Sequence, residues 1–246
     1  MLSNITASFI IIGNEILSGR TQDKNLNYLA KILNNLGIVL QEVRVIPDIE
    51  SEIISTVKTL HQKYTYVFTS GGIGPTHDDI TSLCIAKAFD DELIINQEAK
   101  EILYKFYGSG NVNEARMKMA TLPSRAKLLN NPVSSAPGFY LENVFVMAGI
   151  PKIFQAMVDC LVPILKVGSK IHNCELTIAL TESVIAKDFG DLQKQFPKII
   201  MGSYPFEGGT SLVFRATDRD ILKATVSLMK EKVLSINSQA IIKIDE

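Results

Sequence analysis

The feature that most constrains the fold of this chain is a repeated alternation of short apolar segments and amphipathic helical segments. Residues 7–12 form an apolar run of strand length, residues 39–45 and 64–69 are predicted as two further strands, and the segments between them carry apolar residues at helical spacing. A strand–helix–strand order is satisfied most economically by a parallel sheet with helices on both faces. The sequence therefore predicts an open, mostly parallel α/β domain over residues 1–168.

Residues 169–246 follow a different order, which predicts a second domain. The order is strand, helix, strand, strand, helix, strand, and the turn between the two central strands falls at Glu207-Gly208-Gly209. This βαββαβ order is the split βαβ, or ferredoxin-like, arrangement, so we expect a small α+β domain. A helix over 150–167, bent at Pro163, is expected to close the first domain. The predicted elements of the second domain are strands over 174–180, 198–203, 211–216 and 240–244 and helices over 183–196 and 218–233.

The charge balance and the apolar runs exclude several classes of protein. The chain has 246 residues, of which 25 are basic and 26 acidic, so no global field recruits nucleic acid or an anionic membrane. The longest apolar runs are far shorter than the roughly 20 residues that a membrane-spanning helix needs. Residues 1–4 lack the basic start of a signal peptide. We therefore expect a cytoplasmic protein without a nucleic-acid or membrane partner.

Polar residues follow each strand of the predicted parallel sheet. They lie at 13–23, at Pro47-Asp48, at 70–81 and at 148–151. Because ligands of open α/β sheets bind beyond the carboxyl ends of the strands, these loops predict a ligand site. Gly71, Gly72 and Gly74 favour a phosphate cradle, in which backbone N–H groups and a helix start approach an anion. A tight strand-to-helix turn explains the same glycines, and neither a P-loop nor a dinucleotide fingerprint is present.

Four carboxylates fall beside this predicted anion site, namely Glu15, Asp48, Asp78 and Asp79. Carboxylates repel an anion unless a divalent cation lies between them, so the combination favours a metal-assisted reaction at a phosphate or pyrophosphate. We predict Glu15, Asp78 and Asp79 as metal ligands, and Asp48 and Asp79 as catalytic residues. The alternative is helix capping, by Asp48 of a helix beginning near residue 49 and by Asp79 or Thr76 of the next helix.

The remaining predicted site residues would contact the ligand. For His77 the alternatives are a general acid, a metal ligand, a ribose contact and a merely exposed loop residue. For Arg20 they are an ion pair with phosphate and a solvated surface charge. GxSxG is absent and no cysteine follows these strands, so covalent catalysis is not expected. The predicted phosphate- and ligand-binding residues are Gly13, Arg20, Ser70, Gly71, Gly72, Gly74, Thr76, His77, Gly149 and Pro151.

Three motifs in order resemble one family. Residues 11–23 (IIGNEILSGRTQD), residues 70–81 (SGGIGPTHDDIT), and Ala136-Pro137-Gly138-Phe139 with Ala148-Gly149-Ile150-Pro151 resemble the molybdopterin-binding, MoaB/Mog-like domain. The closer resemblance, over about residues 5–165, is to the branch at the amino end of CinA proteins and of eukaryotic FAD synthases. Gly202-Ser203-Tyr204-Pro205 is similar to the small domain that follows in those proteins.

The resemblance implies an open α/β fold and a chemistry. In Mog-type members two aspartates handle adenylylated molybdopterin, and they match Asp48 and Asp79 here. In the CinA-like branch it implies metal-dependent hydrolysis of a nucleotide pyrophosphate such as ADP-ribose or FAD. Asn14 stands where relatives often carry Asp or Thr, and Ser134-Ser135 where Gly-Gly is common. Nicotinamide-nucleotide deamidation and FAD synthesis are not expected of these residues.

The residues and the resemblance together thus predict a metal-dependent nucleotide pyrophosphatase acting on ADP-ribose or FAD-like substrates with Mg, Mn or Co. The alternatives are molybdopterin binding or adenylylation in molybdenum cofactor biosynthesis, with molybdopterin as the ligand, and a non-catalytic nucleotide-binding module. The expected partner is a small-molecule nucleotide or pterin. The resemblance also implies a homo-oligomer.

Overall fold

The computed structural model describes residues 5–245, which divide into two compact units. The first unit comprises Ile5–Asn34 and Ile38–Val167, and the second comprises Asn35–Gly37 and the chain from Gly168 onward. In the described part of the chain no helix is long and apolar enough to cross a membrane.

A six-stranded sheet forms the centre of the first unit, with the strand order β2-β1-β3-β8-β7-β6. The pairs β1–β2, β1–β3 and β3–β8 are parallel, whereas β7 is antiparallel to β8 and β6 to β7. A separate antiparallel pair is formed by β4 and β5. The prediction of an open, mostly parallel sheet is confirmed. The strands are β1 (Thr6–Ile12), β2 (Val39–Ile46), β3 (Tyr66–Ser70), β4 (Leu93–Ile95), β5 (Thr121–Pro123), β6 (Lys127–Leu129), β7 (Gly138–Leu141) and β8 (Val144–Met147).

Helices cover both faces of this sheet. Phe9 of β1 packs on Phe154 on one face, with ring centroids 5.6 Å apart, and Ile10 packs with Ile53 and Val57 on the other. Burial on both faces explains why the central strands read as continuous apolar runs. The helices are α1 (Asn14–Leu17), α2 (Asn25–Asn35), α3 (Glu50–Lys63), α4 (Thr81–Ala88), α5 (Gln97–Tyr107), α6 (Glu114–Lys118) and α7 (Pro151–Leu161).

The helix predicted over 150–167 is shorter than expected. Helix α7 ends at Leu161, and Val162–Ile164 forms a turn of 3-10 helix that contains Pro163. Proline lacks the N–H that would continue the α-helical hydrogen bonds, and its ring clashes with the preceding turn. The proline therefore ends the helix instead of bending it.

The second unit has the predicted βαββαβ order. Its sheet has the strand order β10-β11-β9-β12, with antiparallel pairing throughout, as in a split βαβ fold. The turn occupies Glu207-Gly208, and Gly209 already belongs to the following strand, where a Cβ would lie 2.1 Å from the carbonyl oxygen of Ile178. The elements are β9 (His172–Ile178), α8 (Glu182–Gln195), β10 (Ile200–Phe206), β11 (Gly209–Ala216), α9 (Arg219–Ile236) and β12 (Ile241–Asp245).

Candidate functional site

The carboxyl ends of the four parallel strands of the first unit lie side by side. In the sheet register Ile12 pairs with Ile46, and Ser70 pairs with both Ile11 and Met147. The loops that follow β1, β2, β3 and β8 therefore leave the sheet at one edge. These are the loops in which the sequence places the candidate site residues.

Asp48 connects the first two of these loops. Its Oδ2 accepts a hydrogen bond of 2.9 Å from the backbone N–H of Asn14, while the N–H of Gly13 donates to the carbonyl of Ile46 at 3.1 Å. The cap residue of α3 is Ile49, and no side chain caps that helix. The capping alternative for Asp48 is therefore wrong, because its carboxylate points to the loop after β1.

Glu15 and Arg20 lie in the exposed loop after β1. A Cβ placed on Gly13 would meet Glu15 Oε2 at 2.5 Å, so the carboxylate of Glu15 lies directly against Gly13. Arg20 is exposed in the turn that follows α1. Glu15 is thus a carboxylate at the end of β1, close to the Asp48–Asn14 hydrogen bond.

The first two glycines of the loop are packed against residues of β1 and α4. Gly71 has φ +108°, and a Cβ there would lie 2.2 Å from the carbonyl oxygen of Ile12; at Gly72 it would lie 2.1 Å from Thr81 Oγ1. The Thr81 hydroxyl donates to the carbonyl of Gly71 at 3.1 Å, and its N–H donates to that of Gly72 at 3.0 Å. These two glycines are required by the turn.

The middle of the glycine loop presents unused backbone donors. Within residues 5–245, the N–H groups of Gly72, Ile73 and Gly74 form no hydrogen bond. Unused N–H groups in successive residues of a turn are a suitable environment for an anion. The cradle predicted from the glycines therefore has donors at 72–74.

Asp79 closes the second half of the loop. Its Oδ2 accepts hydrogen bonds from the backbone N–H of Thr76 at 2.8 Å and from the Thr76 hydroxyl at 2.5 Å. The ammonium group of Lys118, on α6, donates to the carbonyl oxygen of Thr76. Helix α4 has Ile80 as its cap residue and no side-chain cap, so neither Asp79 nor Thr76 caps it. Asp79 is held in one orientation, beside Gly74.

His77 and Asp78 occupy the exposed tip of the same loop. The side chain of His77 is 99% exposed, and its Nδ1 lies 3.9 Å from Asp78 Oδ1. The proximity of the Thr76 side chain is the main cause that holds the pKa of Asp78 below its usual value. Asp78 is therefore an ionised, accessible carboxylate at neutral pH.

Asn25, which no sequence motif singles out, connects three parts of this edge. The side chain is buried, and its Nδ2 donates to Ser70 Oγ and to the carbonyl oxygen of Gly149, both at 2.8 Å. Its Oδ1 has no hydrogen-bond partner among the described residues. Asp23 Oδ1 accepts from the N–H of Leu26 and so caps the same helix start. Asp23 before an apolar helix indicates where a helix begins, but no signal in the sequence indicates the contacts of Asn25 with Ser70 and Gly149.

A pocket of about 590 Å³ lies on the α6 side of the glycine loop. Gly74, Thr76, His77 and Asp79 form one wall, and Lys118 lies on another. The other lining residues are Ile73, Pro75, Ser82, Leu83, Leu93, Ile95, Glu114, Ala115, Met117 and Thr121. The predicted residues Gly13, Glu15, Arg20, Asp48, Ser70, Gly71, Gly72, Asp78, Gly149 and Pro151 are not among its lining. The predicted site residues thus fall into two groups. One group lines the pocket, and the other lies at the adjoining carboxyl ends of the strands.

A resident metal centre does not fit the described side chains. No group of three or more His, Cys, Asp or Glu side chains in residues 5–245 is arranged to hold a metal ion. One oxygen of Asp79 is committed to Thr76, and the Glu15 carboxylate is folded against Gly13. A cation at this edge would need further ligands from the substrate itself, and the metal roles of Glu15, Asp78 and Asp79 stay predictions.

Comparisons with known proteins assign both units to families. Residues 8–167 match the family described as the probable molybdopterin binding domain, and residues 170–240 match the one described as the FAD synthase, middle domain. The two matched segments follow one another along the chain, in the order in which the two units occur.

Relatives and a solved structure agree with these matches. A CinA-like protein from Flavobacterium psychrophilum is 32% identical, over 98% of this chain and 61% of its own length. A probable FAD synthase from Caenorhabditis elegans is 32% identical, over 92% of this chain and 49% of its own length. This chain therefore spans about half to three fifths of those two relatives.

The crystal structure of a CinA protein of unknown function from Thermoplasma acidophilum is similar to this chain at a TM-score of 0.60. The two are 32% identical, over 63% of this chain and 95% of that one. The family predicted from the three motifs is confirmed, because the family model covers more than half of the chain. The protein belongs to the family of the probable molybdopterin binding domain, in a CinA-like arrangement with a domain related to the middle domain of FAD synthase.

Proposed function

We propose that the first unit binds the pyrophosphate of a nucleotide such as ADP-ribose or FAD and hydrolyses it. The observation that carries the proposal is the position of Asp48 and Asp79. Each carboxylate accepts a hydrogen bond from a backbone N–H, and each lies in a loop that leaves the same edge of the sheet. Two oriented carboxylates beside unused backbone donors are suited to phosphate chemistry.

The glycine loop supplies the binding site for the phosphates. The free N–H groups of Gly72, Ile73 and Gly74 donate to phosphate oxygens, as backbone nests do at other anion sites. The conformation is fixed before the ligand arrives, because Thr81 binds Gly71 and Gly72 and Lys118 binds Thr76. Little conformational entropy is then lost on binding, which favours affinity.

The adjoining pocket accepts the ring of the ligand. Its volume of about 590 Å³ lies within the range of small-molecule sites, and Ile73, Leu83, Leu93, Ile95 and Met117 provide apolar walls. A nucleotide base, a flavin or a pterin has a flat ring of this size class. The ligand therefore extends from the phosphate donors at 72–74 into the pocket.

The carboxylates act on the water that attacks phosphorus. A carboxylate of Asp48 or Asp79 accepts a proton from this water, the oxygen bonds to one phosphorus, and the bridging P–O bond breaks. The bridging oxygen keeps the electron pair, and two monophosphates leave. Mg²⁺, Mn²⁺ or Co²⁺ enters as part of the substrate, bound to its phosphates, since Mg²⁺ commonly uses one or two carboxylates together with substrate phosphates. Glu15 and Asp78, exposed carboxylates of the loops after β1 and β3, would hold that cation together with the substrate phosphates.

The test is turnover with FAD or ADP-ribose in the presence of each of the three cations. We expect AMP together with FMN or ribose 5-phosphate, separated by chromatography. Asp79→Asn, which keeps an oxygen acceptor for Thr76, should lower turnover by about 10²- to 10⁴-fold while leaving the melting temperature nearly unchanged. Absence of product with every cation, or full turnover in the variant, would overturn the proposal.

The family description favours a second candidate, which is molybdopterin binding, and the motif resemblance adds adenylylation of molybdopterin to it. The same donors and pocket accept a pterin with a phosphate group. Tight pterin binding with nucleotide transfer distinguishes this activity from AMP release. A non-catalytic nucleotide-binding module would instead show ligand-induced thermal stabilisation without product. Homo-oligomerisation and a cytoplasmic location remain predictions, which light scattering and cell fractionation check.

A further inference from the structure

The second unit contains a pocket of its own, which the proposed function does not use. Its volume is about 310 Å³, and it lies between the start of β9 and one side of α9. His172 and Cys174 contribute from the strand, and Lys223, Ser227 and Lys230 from the helix. Every lining residue belongs to the second unit, so this pocket is independent of the glycine loop.

The charges on the pocket wall have one sign. Arg219, Lys223 and Lys230 are its formally charged lining residues, and no Asp or Glu is among the described residues that line it. An α-helix turns about 100° per residue, so Lys223 and Lys230, four and eleven residues after Arg219, lie on the same side of α9 as Arg219. Asp220 and Glu231 each lie one residue, or about 100°, away from a cation of this row. The row of cations therefore faces the pocket without an acid in its wall.

The two lysines of this pocket form no ion pair with the described residues, whereas three other lysines of the unit do. Lys194 pairs with Asp191 at 3.0 Å, Lys232 with Asp188 at 2.8 Å and Lys243 with Asp245 at 2.7 Å. By contrast, the ammonium groups of Lys223 and Lys230 form neither an ion pair nor a hydrogen bond with any residue in 5–245. Their charge is available to a ligand.

The base of the pocket is apolar. Leu222 and Val226 are 4% and 8% exposed, and they lie on the side of α9 that packs on the sheet, next to the two lysines. Ser227 supplies a hydroxyl between Lys223 and Lys230, four residues after the first and three before the second. A cationic wall above an apolar base matches a molecule with a phosphate at one end and a less polar body at the other.

We infer that this pocket between β9 and α9 binds the phosphate group of a small phosphorylated molecule of the size of a nucleoside monophosphate. Lys223 and Lys230 pair with the phosphate oxygens, the Ser227 hydroxyl donates to them, and the body of the ligand lies on Leu222 and Val226. Inorganic phosphate shares the charged contacts but not the apolar ones. It therefore binds the same place more weakly.

The experiment is a titration of the ¹⁵N-labelled full-length protein with AMP, inorganic phosphate and adenosine, followed by NMR. Backbone signals of Cys174, Val226 and Ser227 report on this pocket, whose lining shares no residue with the pocket beside the glycine loop, so they distinguish it from binding of AMP in the first unit. We expect saturable shifts of these signals with an AMP Kd of about 1 mM or tighter, weaker binding of phosphate, and no shift with adenosine. Equal affinities for AMP and phosphate would identify phosphate itself as the ligand, and shifts with adenosine alone would overturn the inference.

Lys223→Gln/Lys230→Gln removes the two unpaired charges from one exposed side of α9. We expect the Kd for AMP in this pocket to rise about tenfold or more, with turnover in the first unit unchanged. Lys187→Gln/Lys194→Gln removes the same charge from the exposed surface of α8 and should leave the Kd unchanged. Absence of saturable shifts in the unsubstituted protein, or equal loss in both double variants, would overturn the inference.

Discussion

The Oδ2 atom of Asp48 accepts a hydrogen bond of 2.9 Å from the backbone N–H of Asn14. The bond joins the loop after β2 to the loop after β1, two strands that end in register at Ile12 and Ile46. It gives Asp48 a structural task that is separable from any catalytic one. Two substitutions distinguish the two tasks.

Asp48→Asn keeps an oxygen acceptor for the Asn14 N–H but removes the negative charge. We expect a melting temperature close to that of the unsubstituted protein and a loss of pyrophosphate hydrolysis of about 10²-fold or more. Asp48→Ala also removes the acceptor, so we expect its free energy of unfolding to fall by about 1–2 kcal/mol in urea titrations. Full turnover of the Asn variant would show that Asp48 only ties the two loops together.

Gly71 and Gly19 provide a matched test of how tightly the glycine loop is packed. Both have positive φ, +108° and +73°, but a Cβ on Gly71 would lie 2.2 Å from the carbonyl oxygen of Ile12, whereas around Gly19 there is open space. Gly19→Ala should cost about 1 kcal/mol, the strain of the left-handed backbone alone. Gly71→Ala should cost about 3 kcal/mol or more, because β1 and the loop must also move apart. Denaturant unfolding measures both, and equal losses would show that the loop tolerates a side chain.

Glu42 makes the stability of the first unit sensitive to acid. Its carboxylate accepts hydrogen bonds from Lys63 at 2.8 Å, Tyr64 at 2.7 Å and Arg44 at 2.7 Å. These bonds, that of Lys63 first, lower the pKa of Glu42 from 4.5 to about 2. Because the folded-state pKa is lowered, the stabilisation is complete above the unfolded-state value and is lost as the pH falls through the folded-state value.

The pH window for Glu42 therefore extends from 4.5 down to about 2. Glu42→Gln cannot titrate, so we expect it to be less stable than the unsubstituted protein at pH 7 and to lose less stability across that window. Urea unfolding at several pH values between neutrality and pH 3 measures the difference. Parallel pH profiles for the two proteins would contradict a lowered pKa.

Much of the fold follows from local patterns. Apolar runs of strand length that alternate with segments of helical spacing correctly predicted the α/β unit, and the βαββαβ order correctly predicted the second unit. Both patterns are readable because side-chain periodicity depends on near neighbours in the chain. The sequence correctly indicated that Pro163 disturbs the last helix of the first unit. The predicted bend was wrong, since a proline permits either a bend or an end to a helix. The three motifs sufficed to identify the family.

What the sequence alone determined is therefore which residue types follow which strands: the glycines at 71, 72 and 74, and the aspartates at 48 and 79. The tertiary structure decided how they are connected. Asp48 binds a backbone N–H 34 residues away, Asn25 binds groups 45 and 124 residues away, and Lys118 binds a carbonyl 42 residues away. Strand register and helix packing bring these groups together. Local periodicity contains no information about contacts at such separations, so only the folded chain decided between capping and the observed contacts of Asp48 and Asp79, the role of Asn25 and the position of the pocket against α6.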